Sequence, residues 1–231
     1  MKIFAISDLH LSFSSDKPME IFGSGWDDYF NKIKTNWQRL VKEEDIVLIA
    51  GDISWAMTLE NAVVDFSEIA GFRGRKIIIR GNHDYWWKSV SRLREALPEG
   101  FTALQNDSVK IGNYIFCGTR GWTAPGTPGF SQEDRKIYDR ECERLKLTLS
   151  SAAKLKEEGC RIICMTHFPP FNVNREPGKF TDLITEYGVA AVVYGHLHGK
   201  DCRADKKVVI SGVPYYLTSC DLIEHKPVLI I

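Results

Sequence analysis

Three observations predict an α/β fold. Short apolar runs rich in Ile and Val alternate with stretches of helical periodicity along most of the chain. Several of these runs, residues 45–50 among them, are apolar throughout rather than every second residue, the pattern of strands buried on both faces. Polar clusters carrying Asp, Asn and His follow the runs, at the strand ends where open α/β sheets bind their ligands.

The elements follow in order. Residues 2–7 form the first candidate strand. Over 27–42, Tyr29, Phe30, Ile33, Trp37, Leu40 and Val41 share one helical face. The strand at 45–50 is followed by a helix at 59–72, which Gly71 and Gly74 help to end. A strand at 75–80 precedes a helix predicted over 85–97 and stopped by Pro98 and Gly100. Residues 114–118 read as a strand. Residues 132–158 form a long helical stretch rich in Glu, Lys and Arg, with Leu145, Leu149 and Leu155 among its apolar positions. Strands at 161–166 and 189–194 flank a helix near 180–187. From Lys207 the chain reads as all β, with strands at 208–211, 215–219 and 227–231 in a meander. Segments 11–25 and 122–131, rich in Ser, Gly and Pro, are loops. Strand–helix alternation of this kind implies right-handed crossovers. With no repeat and no composition shift to mark a linker, residues 1–231 are expected to form a single domain.

The 231 residues, 44% of them apolar, are enough to bury a full core without disulfide or metal staples. Thirty Lys+Arg against thirty Asp+Glu give no net charge, which makes long nucleic acid an unlikely partner. The first eight residues lack the long apolar stretch of a signal peptide, and the longest apolar run, 189–194, has strand length. No membrane association is expected. The six cysteines include no Cys-x-x-Cys; Cys117 and Cys164 fall inside apolar strands and read as buried small hydrophobes. A reduced, cytoplasmic protein is the expectation.

Five of the six histidines fall just past predicted strands. Asp8-Leu9-His10 follows the first strand, Gly51-Asp52 the second and Gly81-Asn82-His83-Asp84 the third. His167 follows the strand at 161–166, and Gly195-His196-Leu197-His198 follows that at 189–194. Each cluster alone has an ordinary reading: Gly-Asp as a turn, Asn-His-Asp likewise, a lone strand-end His as structural. Their recurrence in order, each after a strand, is what points to a site. Setting His83 aside, Asp8, His10, Asp52, Asn82, His167, His196 and His198 are more ligands than one ion takes and suit two ions bridged by a carboxylate. Mixed N/O donors favour Mn, Fe or Zn over Ca or Mg. Two ions ~3.5–4 Å apart form the clamp used in phosphoryl chemistry.

This run of residues, Asp8-x-His10, Gly51-Asp52, Gly81-Asn82-His83-Asp84, His167 and Gly195-His196-x-His198, resembles the signature of the calcineurin-like metallophosphoesterases, with every metal-ligand position filled. The resemblance spans residues 8–198. It implies a four-layer α/β/β/α sandwich of mixed sheets with a two-metal site at the C-terminal strand ends. By the same resemblance Asp8, His10 and His198 hold one ion, Asn82, His167 and His196 hold the other, and Asp52 bridges. Mn is the favoured metal. The implied activity is hydrolysis of a phosphomonoester or phosphodiester of a small molecule, by a hydroxide that the metal pair activates, with His83 protonating the leaving oxygen.

The pattern also departs from the family. Ser/Thr protein phosphatases carry a second Asp three residues after the bridging one, often followed by Arg-Gly; here Trp55 stands at that position. The group that orients His83 is therefore open, since Asp84 is adjacent only in sequence, and Arg120 is a candidate replacement for the missing phosphate ligand. Trp55, Tyr85, Trp86, Trp87 and Trp122 crowd the same loops and read as helix packing, against a ring-lined pocket. Phe168-Pro169-Pro170-Phe171 is a stiff apolar loop, either a pocket wall or simply rigid, and the 132–158 helix is a solvated face or a lid. Two other functions are compatible with the fold: a non-catalytic metal-binding scaffold, and a single-metal hydrolase or redox site with one ion.

Overall fold

A computed structural model of the chain describes all of residues 1–231. The chain forms two mixed sheets and five α-helices. The first sheet contains β1 (Ile3–Ile6), β2 (Ile46–Ile49), β3 (Arg75–Ile78) and β4 (Phe101–Ala103), all parallel. The second begins with β5 (Ser108–Ile111) and contains β6 (Tyr114–Thr119), β7 (Arg161–Thr166) and β8 (Val189–Tyr194), the last three mutually parallel. It ends with β9 (Lys207–Ile210) and β10 (Val213–Leu217), in the order β5-β6-β7-β8-β10-β9.

The chain's last strand, β11 (Val228–Leu229), does not extend a meander. It crosses to the first sheet and lies antiparallel to β1. β10 is likewise parallel to β8, not a hairpin continuation of it. The meander expectation therefore holds only for β9 and β10, which pair antiparallel as a hairpin, and fails for β11: the short apolar runs of the tail name strands, but only tertiary pairing chooses their neighbours.

Helices α1 (Tyr29–Leu40), α2 (Leu59–Ala70) and α3 (Val90–Ala96) accompany the first sheet, and α4 (Gln132–Lys154) and α5 (Lys179–Glu186) the second. Their stops and starts are local chemistry. Thr58 and Ser89 cap α2 and α3 through their hydroxyls. Ser131 and Asp134 form a reciprocal capping box on α4. The helix expected over 85–97 is shorter than predicted. Tyr85–Lys88 turn tightly, through Tyr85 N–H to His83 O at 2.8 Å and Trp87 N–H to Asp84 O at 3.2 Å. That turn sends Trp86 and Trp87 into the core, where they are 2% and 1% exposed.

Three apolar clusters follow from this arrangement. One joins the first sheet to α1–α3 through Ile33, Trp37, Phe66 and Trp86. Another joins the second sheet to α4 and α5 through Leu145, Leu149, Phe180 and Ile184. The third lies between the sheets, where Ala5, Leu48 and Ile77 meet Phe116, Met165 and Val193. Strands β2, β7 and β8 are buried on both faces because each serves two clusters, which explains their continuous apolar runs. Helix α4 packs on the second sheet, on the face turned away from the first, with Tyr138, Glu141, Leu145 and Thr148 buried, so it is packing and not a lid. Cys117 and Cys164 are fully buried and free. No helix is long and apolar enough to cross a membrane.

At their C-terminal ends the two sheets are tied together. Ser7 N–H donates to Thr218 O at 2.7 Å, Cys220 N–H to Ser7 O at 3.0 Å, and the Ser7 and Thr218 hydroxyls bond at 2.7 Å. This junction brings the loops after β1, β2 and β3 against those after β7, β8 and β10.

Candidate metal centre

Every predicted ligand lies at that junction. One donor atom from each of Asp8, His10, Asp52 and His198 falls within 4.8 Å of the other three. His10 Nε2 is 3.3 Å from His198 Nε2, and His198 Nε2 is 3.3 Å from Asp8 Oδ1. Beside this group, Asn82 Oδ1 lies 2.7 Å from His167 Nε2 and 2.9 Å from His196 Nδ1. His167 Nε2 is 3.4 Å from Asp52 Oδ2, and His10 Nε2 is 3.9 Å from the same oxygen. Asp52 thus stands between the two groups.

The backbone is shaped for this convergence. Asp8, His10, Asp52 and His196 all adopt positive φ, between 45° and 72°, a conformation that costs a non-glycine residue energy and persists only where the surroundings enforce it. Glycines make the room: a Cβ on Gly81 would strike Asp52 Oδ1, and one on Gly195 would strike Asp8 Oδ2.

Imidazole orientation is set from behind. His167 Nδ1 lies 2.9 Å from Ala50 O, which places a proton on Nδ1 and turns Nε2 toward the site. His198 Nδ1 lies 3.2 Å from Asp221 Oδ1, and the other Asp221 oxygen accepts from Gly199 N–H at 2.8 Å. Asp221 escaped the sequence reading. Its only signal is a carboxylate four residues past β10, and nothing in the sequence places β10 beside β8.

Charge follows geometry. Burial opposes ionisation of Asp8 and Asp52, yet His198 and His167 respectively hold each below the ordinary carboxylate range. Burial likewise opposes charge on His167, but the Asp52 and Asp8 carboxylates lift it to about 9. For His198, Asp8 and Asp221 outweigh burial and lift it to about 10. His10 and His196 are pushed down to about 4, chiefly by burial. The pocket thus holds two buried carboxylates and pairs them with two imidazolium protons, positions a divalent cation fills with the same charge. Its mixed N/O donors fit such an ion.

His83 is half-buried. Its backbone N–H donates to Asp52 Oδ1 at 2.8 Å, and its ring sits 4.5 Å from the Trp55 ring and 5.9 Å from that of His10. Trp55 also stacks on His10 at 4.7 Å. The ring at the position of the missing carboxylate therefore steers His83 by contact rather than by a hydrogen bond. Burial pushes the His83 pKa down.

Asp84 forms no hydrogen bond with the His83 ring. It is a hub, accepting N–H groups from Gly81, Asp52, Ile53 and Ser54 at 2.7–3.3 Å, so one carboxylate holds the β2 and β3 loops together. Burial and the nearby Asp52 push its pKa up to about 7. Asp84→Ala strands those four buried donors and is expected to cost about 3 kcal/mol or more of stability, read from urea unfolding. A loss under about 1 kcal/mol would mean that other groups hold the loops.

The aromatic residues divide. Trp86 and Trp87 are core, Tyr85 is largely exposed, and Trp55 and Trp122 border the site. Phe168, Pro169 and Phe171 wall a cavity of about 460 Å³ that His196 and Leu197 also line. The sixth histidine, His225, lies outside the centre, 6.5 Å ring to ring from Trp26.

A family model for calcineurin-like phosphoesterases matches residues 1–200. The chain belongs to that family. Comparison with the curated proteins gave no match. Solved structures similar to this calcineurin-like phosphoesterase include a protein from Thermus thermophilus, at 12% identity and TM-score 0.60, over 97% of this chain and 96% of that one. Another is the phosphopantetheinyl hydrolase of Mycobacterium tuberculosis, at 13% identity and TM-score 0.56, over 100% and 96%. A protein of unknown function from Aquifex aeolicus follows at 15% identity and TM-score 0.52, over 98% and 94%. At these identities the likeness is one of fold.

Proposed function

We propose that this chain is a single-domain, dinuclear-metal phosphoester hydrolase of the cytoplasm, acting on a phosphomonoester or phosphodiester of a small molecule. The convergence of Asp8, His10, Asp52 and His198 donor atoms within 4.8 Å, in a buried setting, carries the reading. Asp8, His10 and His198 would hold one ion, Asn82, His167 and His196 the other, with Asp52 shared; the N/O donor set favours Mn. Bound there, divalent ions supply positive charge for the phosphoryl oxygens and a lowered pKa for water.

The protein's own groups do the rest. His83 delivers a proton to the departing oxygen. Burial disfavours its imidazolium, so donation leans on the negative charge of the substrate itself. Trp55 keeps the ring in place. The organic part of the ester lies in the cavity beside His196, against Phe168 and Phe171.

A screen of phosphomonoesters and phosphodiesters with added Mn²⁺, alongside metal analysis of the purified protein, tests the proposal. Protein that binds two ions yet cleaves neither p-nitrophenyl phosphate nor its bis ester would establish a non-catalytic scaffold instead.

Metal uptake should be coupled to protons. His167 and His198, lifted to about 9 and about 10, carry protons at neutral pH, and a ligating imidazole must lose its own. Mn²⁺ affinity is therefore expected to rise from pH 6 to 9, with up to about two protons released, counted by calorimetry in buffers of different ionisation heat. Affinity that stays flat over this range would show that these imidazoles are already neutral.

A further inference from the structure

A second cleft, of about 180 Å³, opens between the ends of β3 and β6. Arg80, Lys88, Arg120 and Arg144 line it, with Glu141 as the one carboxylate. Glu141 is fully buried and committed: it accepts from Thr119 Oγ1 at 2.8 Å and Arg144 Nη1 at 2.5 Å, and lies 3.5 Å from Arg120 Nη2. It fixes the two α4-side guanidiniums without neutralising the cleft. Arg80 and Lys88 form no ion pair. The Nε–H groups of both Arg80 and Arg120 are buried with no acceptor.

A buried donor on a charged group without an acceptor is costly, and two in one cleft mark an arrangement that an anion would complete. A guanidinium presents its Nε–H and Nη–H as a planar fork that matches phosphate oxygens, so a phosphoryl group is the kind of acceptor that Arg80 and Arg120 lack. The place is informative too. Arg80 stands two residues before Asn82, and Arg120 O accepts the N–H groups of both His167 and Phe168 at 2.9 Å. The cleft thus adjoins the candidate centre through the backbone of two of its loops while using none of its ligands.

We propose that this cleft is a phosphoryl-binding subsite, distinct from the metal centre, that holds either a second phosphoryl group of the substrate or free phosphate. Only its connection to turnover rests on the phosphoesterase reading; anion binding itself does not.

The test measures binding of inorganic phosphate to the full-length chain, as purified and after chelator treatment, at fixed ionic strength. Binding at the metal centre is lost on chelation; the cleft's binding should survive it. Arg80→Gln and Arg120→Gln are each expected to weaken the surviving site about tenfold or more, the effect of one lost charge-assisted hydrogen bond. Arg80→Lys should restore part of it. Arg80 has no ion pair to lose, so its variant keeps the test valid even where Arg120→Gln disturbs Glu141. Absence of chelator-resistant binding, or affinity unchanged in both Gln variants, overturns the proposal whatever the metal content. A phosphate site that survives chelation in a protein with no phosphoesterase activity would sink the functional reading and leave the subsite standing.

Two kinetic arms then separate the sources. If the substrate supplies the group, Arg80→Gln raises KM for an ester bearing a second phosphoryl group and leaves that for p-nitrophenyl phosphate unchanged. If free phosphate occupies it, the same variant relieves inhibition by added phosphate.

Discussion

Asp52→Ala is expected to abolish phosphoester turnover and to leave the protein unable to retain its metals. Asp52 Oδ2 is the atom that both donor groups face, 3.4 Å from His167 Nε2 and 3.9 Å from His10 Nε2. Its removal leaves each group one ligand short and takes away one of the two buried carboxylates that offset the cationic charge. Several kcal/mol of transition-state stabilisation depend on the occupied centre, which corresponds to ~10³-fold or more in kcat. Asp52 Oδ1 also accepts the His83 N–H, so Ala loosens the His83 loop as well. Asp52→Asn keeps an acceptor for that N–H and separates the two effects: it should bind metal poorly while holding its thermal stability. Elemental analysis gives the answer directly. Two ions retained in Asp52→Ala would refute its bridging place.

His83→Ala should show the reverse signature, full metal content with crippled turnover. His83 contributes only its backbone N–H to Asp52, and its ring is outside the set of converging donors. Removing a general acid costs ~10²–10⁴-fold where the leaving group is a poor one. The loss should shrink for a nitrophenolate, which departs without help. Rates across alkyl and aryl esters, with metal content measured on the same preparations, check both halves. An equal loss on every ester would assign His83 to binding instead, and loss of metal would remove the proton-donor role.

The legibility of the site and of the fold differ for a physical reason. Asp8, His10, Asp52, Asn82, His167, His196 and His198 could be read because each sits within a few residues of a strand end, and in parallel sheets strand ends meet. Asp221 could not, because its meeting with His198 depends on β10 lying beside β8, a pairing between distant segments with no local mark. Trp55 was visible as a departure from the family pattern, but its contact with His83 is tertiary. The same divide runs through the fold. Apolar periodicity announced α2 and α4, with Gly71 and Gly74 marking the end of α2. The crossing of β11 to the first sheet, and the unwinding of 85–89 so that Trp86 and Trp87 enter the core, were decided by packing that no short window contains.

The contacts between the sheets have a role beyond cohesion. Asp8, His10, Asp52 and Asn82 hang from one sheet, and His167, His196, His198 and Asp221 from the other. The filling of the space between, Ala5, Leu48 and Ile77 against Phe116, Met165 and Val193, therefore works as a spacer that gauges every cross-sheet distance in the centre. A slip of one sheet along the other by a single residue, ~3.3 Å, would equal the whole separation between His198 Nε2 and Asp8 Oδ1. Side-chain volume far from any ligand thus sets the bite of the site, and drift in that apolar layer is tuned or punished through the chemistry at its rim.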